Sequence, residues 1–93
     1  MAKYRYAATK QFEKDVKLCV RQGKSIALLK NVITLLLEDG RLPSEYHPHK
    51  LTGRLEGLWE CHIQSDWLLL WKQNNDELIM VMTRTGTHSA VFG

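Results

Sequence analysis

The feature that most constrains this chain is a change of hydrophobic period at Gly57. Upstream, Ile26, Leu29, Val32, Ile33, Leu36 and Leu37 recur at helical spacing. Downstream, Leu58–Gln64, Trp67–Lys72 and Glu77–Thr85 are strand-like, rich in Trp, Leu, Ile, Val and Thr. A helix buries a stripe that repeats about every 3.6 residues, and a strand buries every second one. Helices first and strands afterwards predict an α+β fold with helices packed on one sheet.

The boundaries follow from local chemistry. Lys3–Ala7 alternates Tyr4 and Tyr6 with Lys3 and Arg5 and reads as a first strand. Thr9 suits the N-cap of a helix over residues 10–23, and Gly23 suits its end. Ser25 is placed to cap a second helix and Gly40 to stop it, with Pro43 just beyond. Residues 39–56, broken by Gly40, Pro43, Pro48 and Gly53, read as a long loop, and long ordered loops are often functional. Ser65-Asp66 and Gln73–Asp76 suit hairpin turns. The expected order is β-α-α-β-β-β, with consecutive strands near the end paired antiparallel. In the strand from Leu58, Trp59, Cys61 and Ile63 form the better core face. Leu58, Glu60, His62 and Gln64 share the other.

A chain of 93 residues is expected to form one domain over residues 1–93, since halves would be too small to bury a core. No apolar run approaches the roughly 18 residues of a membrane span. The start, Met1 to Arg5, has no apolar stretch of a secretory leader. Cys19 and Cys61 form no CxxC pair, which argues against a disulfide framework and a zinc knuckle, so the cytoplasm is the expected compartment. Glycine-rich nucleotide-binding loops are absent from the sequence.

Charge is unevenly spread. Residues 1–30 hold eight Lys/Arg against two acids, and residues 31–93 hold five against eight. On a helix, Lys10, Lys14, Lys17, Arg21 and Lys24 fall within a stripe about 80° wide, with Phe12, Val16, Cys19 and Val20 opposite. Such a rail is either a solvated face or a contact for a phosphate backbone.

The four histidines, His47, His49, His62 and His88, all lie in the second half. Cys61 and His62 are adjacent on a strand and point to opposite faces, so they form no dyad. Three readings stand. His47-x-His49 is a poor metal signature without a third ligand fixed by spacing. Imidazoles serve metal-free proton transfer near neutrality. Scattered surface histidines are the third reading. Metal-free RNA cleavage needs a base for the 2′-OH, an acid for the leaving 5′ oxygen, a cation, and aromatic platforms for bases. His49, His62 and His88 fit proton transfer, Arg84 the cation, and Trp67 and Phe92 the platforms. Asp66 fits either an orienting group or a turn residue.

Three segments carry a family resemblance. They are His49-Lys50-Leu51-Thr52-Gly53, Glu60-Cys61-His62-Ile63-Gln64-Ser65-Asp66-Trp67, and Arg84-Thr85-Gly86-Thr87-His88-Ser89-Ala90-Val91-Phe92-Gly93. Together they resemble the YafQ branch of the RelE/ParE toxin superfamily, along nearly the whole chain. The resemblance implies a RelE-like fold, two N-terminal helices packed on a curved antiparallel sheet, and the toxin half of a type II toxin–antitoxin pair. It implies a ribosome-dependent endoribonuclease that cuts mRNA without metal or cofactor, and a cognate antitoxin in a hetero-oligomer. It implies catalytic roles for His49, His62, Asp66 and His88, and substrate contacts at Trp67, Arg84 and Phe92; Lys50, outside the family pattern, is a candidate substrate-binding cation in place of the arginine missing at Trp59. His47 has no counterpart role. The chain departs from the family at Lys50, Trp59 and Ser65, where members often carry proline, arginine and proline. Two other readings of the chain are a non-catalytic toxin that blocks a protein target and a ribosome-independent ribonuclease.

Overall fold

A computed structural model describes residues 2–93, so Met1 of the N-terminal reading lies outside it. The elements run β1 (Arg5–Ala8), α1 (Lys10–Arg21), α2 (Ile26–Asp39), β2 (His49–Lys50), β3 (Trp59–Gln64), β4 (Trp67–Asn74), β5 (Ile79–Gly86) and α3 (His88–Phe92). The expected helices and the last three strands are present within two residues or so of their expected ends. β2, α3 and two 3-10 turns, Ser44–Tyr46 and Gly53–Leu55, are additions.

Each early element begins and ends for a local reason. The Thr9 hydroxyl accepts the Phe12 N–H and caps α1. α1 stops at Arg21, short of the expected residue 23. Gly40 ends α2 at φ 71, with its N–H on the Leu36 carbonyl. A side chain there would also press within 2.7 Å of the Tyr4 ring, so glycine is required twice over.

The sheet order is β1-β5-β4-β3-β2. β2 to β5 pair antiparallel, but β1 lies parallel to β5, so the sheet is mixed rather than wholly antiparallel. That pairing joins residues over 70 positions apart, which local patterning does not encode. β1 stops at Ala8 opposite Met82, leaving the rest of the β5 edge to α1. The Thr9 hydroxyl donates to the Thr83 carbonyl, and Asp15 accepts the Thr85 N–H. The helix thus satisfies strand groups that would otherwise lack partners.

Phe12 and Cys19 of α1 and Leu29, Val32 and Leu36 of α2 pack on one face of the sheet against Cys61, Ile63, Trp67, Leu69, Trp71, Met80 and Met82. Each such side chain contributes roughly 1.5–3 kcal/mol through burial. The expected alternation of β3 holds, with Cys61 and Ile63 in this core and His62 half-buried on the opposite face. Val20, expected inside, is 53% exposed, while Asp15 is buried on the inner side of α1. Leu68 and Leu70 of β4 point to the second face and are also buried. α3 packs on β4 and β5, and Gly86 faces Ala90 and Val91. No helix among the described residues is long and apolar enough to cross a membrane.

Candidate active site

The second face of the sheet gathers most of the proposed chemistry. β2 pairs His49 with Glu60, which pairs with Leu70, which pairs with Arg84. The next row runs His62, Leu68, Gly86. Leu68 and Leu70 therefore form an apolar floor between polar groups on β2 and β3 and those at the end of β5.

On one side, Glu60 joins two histidines. Its Oε1 lies 3.1 Å from His49 Nε2 and 4.0 Å from His62 Nε2. His49 Nδ1 lies 2.9 Å from the His47 carbonyl. A carbonyl only accepts, so Nδ1 carries the hydrogen there and Nε2 is the nitrogen turned to Glu60. Nε2 donates to Glu60 only when the imidazole carries both protons. Glu60 is buried, and the sequence gives little signal of it, because its partner His49 sits on a strand of two residues.

On the other side is the tail. Thr87 caps α3 by accepting the Ala90 N–H. His88, its first residue, donates its backbone N–H to Asp66 Oδ1 at 3.1 Å. Asp66 thus holds the tail rather than facing an imidazole nitrogen. The His88 and Phe92 rings lie 4.9 Å apart, and Phe92 is 37% exposed, open to a stacking partner.

Arg84 joins the tail to α1. Its Nε donates to Asp15 Oδ2 at 2.7 Å, and its Nη2 reaches Asp15 Oδ1 and the Ala90 carbonyl. Most of the guanidinium is committed to this frame, and Nη1 makes no hydrogen bond among the described residues.

Several expected placements are corrected. Trp67 cannot be a stacking platform: it is 1% exposed, in the core, and its indole N–H donates to Thr85 Oγ1 at 2.9 Å. A period-2 strand sends Trp67 to the same face as Leu69 and Trp71. Lys50 lies on the wrong face as well. It pairs with Trp59 across the strands, and its Nζ sits 5.5 Å over the Trp59 ring, away from His49 and Glu60. Trp59 in turn stacks on Trp71, so the two departures Lys50 and Trp59 meet each other rather than the histidines. The rail also shortens. Lys10, Lys14, Lys17 and Arg21 are exposed on α1, but Lys24 follows Gly23 beyond the helix and bonds Gln22. It lines a cleft of about 550 Å³ with Ser65, Asp66 and Thr87.

Neither cysteine offers a nucleophile. Burial pushes the Cys61 thiol from 9.0 up to about 12, with Glu60 adding in the same direction. Burial raises Cys19 as well. A protonated buried thiol is inert.

Comparison with known proteins identifies the family and the fold. The family described as "Bacterial toxin of type II toxin-antitoxin system, YafQ" matches residues 4–93. The mRNA interferase toxin YafQ of Escherichia coli K12 is 40% identical over 84 residues, which is 89% of either chain. The crystal structure of YafQ from E. coli BL21(DE3) superposes with a TM-score of 0.90 at 34% identity, covering 97% of this chain and 99% of that one. YafQ in the E. coli DinJ–YafQ toxin–antitoxin complex superposes with a TM-score of 0.88 at 35% identity, covering 98% and 99%. This chain therefore belongs to the YafQ family of bacterial toxins of type II toxin–antitoxin systems, with the RelE-like α+β fold.

Proposed function

We propose that the chain is an mRNA interferase, an endoribonuclease that cuts mRNA on the ribosome by proton transfer through His49, His62 and His88. The observation that carries this reading is the single sheet face that holds the Glu60-linked imidazoles at one side and the His88 tail at the other. His62 and Gly86 stand two strands apart, about 10 Å, with Leu68 between them. The reading assigns the scissile phosphodiester to the outer side of this row, between the two groups of histidines. A histidine on one side removes the 2′-OH proton, O2′ attacks the phosphorus, and a histidine on the other gives a proton to the leaving 5′ oxygen. Arg84 Nη1 offers a cation to the phosphoryl oxygens, and Phe92 offers a face to a splayed base. Asp66 positions His88 through its backbone. The apolar floor strengthens each of these polar contacts by excluding water.

The remaining parts of the reading are partners. Lys10, Lys14, Lys17 and Arg21 form a row of exposed cations suited to ribosomal RNA, and Lys24 extends it toward Asp66. The setting is the cytoplasm, where ribosomes and mRNA meet. DinJ stands beside YafQ in the E. coli complex, and a cognate antitoxin is the corresponding partner here, in a hetero-oligomer. The test is the chemistry of the cut ends. Attack by O2′ leaves a 2′,3′-cyclic phosphate upstream and a 5′-hydroxyl downstream. Fragments bearing 3′-hydroxyl and 5′-phosphate ends would overturn the mechanism.

A further inference from the structure

α1 turns one carboxylate inward. It shows Lys10, Lys14, Lys17 and Arg21 to solvent and buries Asp15 on the side of Phe12 and Cys19. A buried carboxylate is costly unless its oxygens find donors. Asp15 finds four. Oδ2 accepts Arg84 Nε at 2.7 Å and the Thr85 N–H at 3.1 Å, and Oδ1 accepts Gln11 Nε2 at 3.0 Å and Arg84 Nη2 at 3.4 Å. No step of the cleavage reading uses this group.

We infer that Asp15 is a positioning residue for cleavage: it sets the plane of the Arg84 guanidinium, and so the direction in which Nη1 meets the scissile phosphate. The inference rests on the mRNA-cleaving reading above and deepens it. An arginine side chain is long, and a guanidinium without partners samples many directions. Here Asp15 takes the edge formed by Nε and Nη2, the Ala90 carbonyl takes Nη2 a second time, and Nη1 makes no hydrogen bond among the described residues. The Thr85 N–H holds the same carboxylate to the backbone of the residue that follows Arg84. Carboxylate and guanidinium therefore share one frame, fixed to β5. The carboxylate also offsets much of the charge on Arg84. What Arg84 brings to the phosphate is then an aimed hydrogen bond more than a free cation, and aim is what a preorganised site supplies. A lysine, a compact point charge, has no second edge to present once it pairs with Asp15.

Single-turnover cleavage of ribosome-bound mRNA by the full-length toxin tests this, with each rate taken per folded molecule and the folded fraction read by circular dichroism. Asp15→Asn turns one accepting oxygen into a donor. It is expected to slow the saturating rate about tenfold, the low end for a hydrogen bond to a charged group. The toxin concentration at half-maximal rate is expected to stay within about twofold, because Asp15 touches no RNA. In an Arg84→Ala background the same substitution is expected to cost less than about twofold, since the group it aims is gone. Arg84→Lys keeps a cation beside Asp15 and is expected to cut as slowly as Arg84→Ala, within about threefold. An Asp15→Asn toxin that cuts at the wild-type rate overturns the inference, as does an equal loss with and without Arg84. Wild-type cutting by Arg84→Lys overturns it too, and does so even where Asp15→Asn fails to fold. In each of these cases the wild-type toxin still cuts, and the proposed function stands. A wild type that makes no cuts overturns both.

Discussion

Asp66 Oδ1 accepts the backbone N–H of His88 at 3.1 Å, tying the β3–β4 turn to the first residue of the tail helix across 22 positions of sequence. The bond uses an oxygen acceptor, not a charge. Asn keeps that acceptor and Ala removes it. Asp66→Asn is therefore expected to retain cleavage within about threefold, and Asp66→Ala to lose about tenfold, the worth of one hydrogen bond. Single-turnover cleavage rates decide it. Equal and large losses in both variants would show that Asp66 works through its charge or proton.

The Arg84–Asp15 pair is the main tie between α1 and the tail. Asp15 is 7% exposed and holds Arg84, the Thr85 N–H and Gln11 at once. Removing the guanidinium strands a buried carboxylate. Arg84→Ala is expected to cost about 3 kcal/mol in urea unfolding. A loss below about 0.5 kcal/mol would match an exposed surface pair and contradict the burial.

Trp67→Phe separates packing from stacking. An aromatic ring is kept, but part of the buried indole volume and the N–H to Thr85 are lost, and Thr85 Oγ1 itself donates to the Leu68 carbonyl. The expected cost is about 1–2 kcal/mol of stability, with cleavage per folded molecule unchanged. A fall in cleavage with stability intact would place the indole against substrate.

The buried thiol sets a pH dependence. Between 9.0 and about 12 the native chain keeps a proton on Cys61 that the unfolded chain has released. The native state binds more protons there, so stability falls as pH rises through that window. Cys61→Ser is expected to flatten that fall. A thiol reagent at pH 8 should label neither cysteine until the chain unfolds, and rapid labelling of the native protein would contradict the burial.

The parts of this fold that are legible in sequence are those set by neighbours in the chain. Thr9, Gly40 and the alternation of Trp59, Cys61 and Ile63 act within a few residues, and each is found where expected. The parts that are not legible depend on distant partners. His49 and Lys50 have no strand pattern of their own and become β2 only by pairing with Glu60 and Trp59. Asp15 reads as a surface acid until Arg84 meets it 69 positions later. The parallel place of β1 and the burial of Glu60 belong to the same class. At the site, His62 is legible on its polar face and His88 in its tail. The contact of the His47 carbonyl with His49 is not, because it depends on a backbone angle.

If this sheet face cuts mRNA on the ribosome through its histidines, primer extension reads the cuts directly as new mRNA 5′ ends in a cell-free translation reaction. Wild-type toxin, His88→Ala and a reaction without ribosomes run side by side. Cuts are expected in phase with codons, absent without ribosomes, and at least about 100-fold weaker with His88→Ala, as befits loss of a proton-transfer group. Equal cutting by His88→Ala, or arrest of translation with no cuts at all, would contradict it.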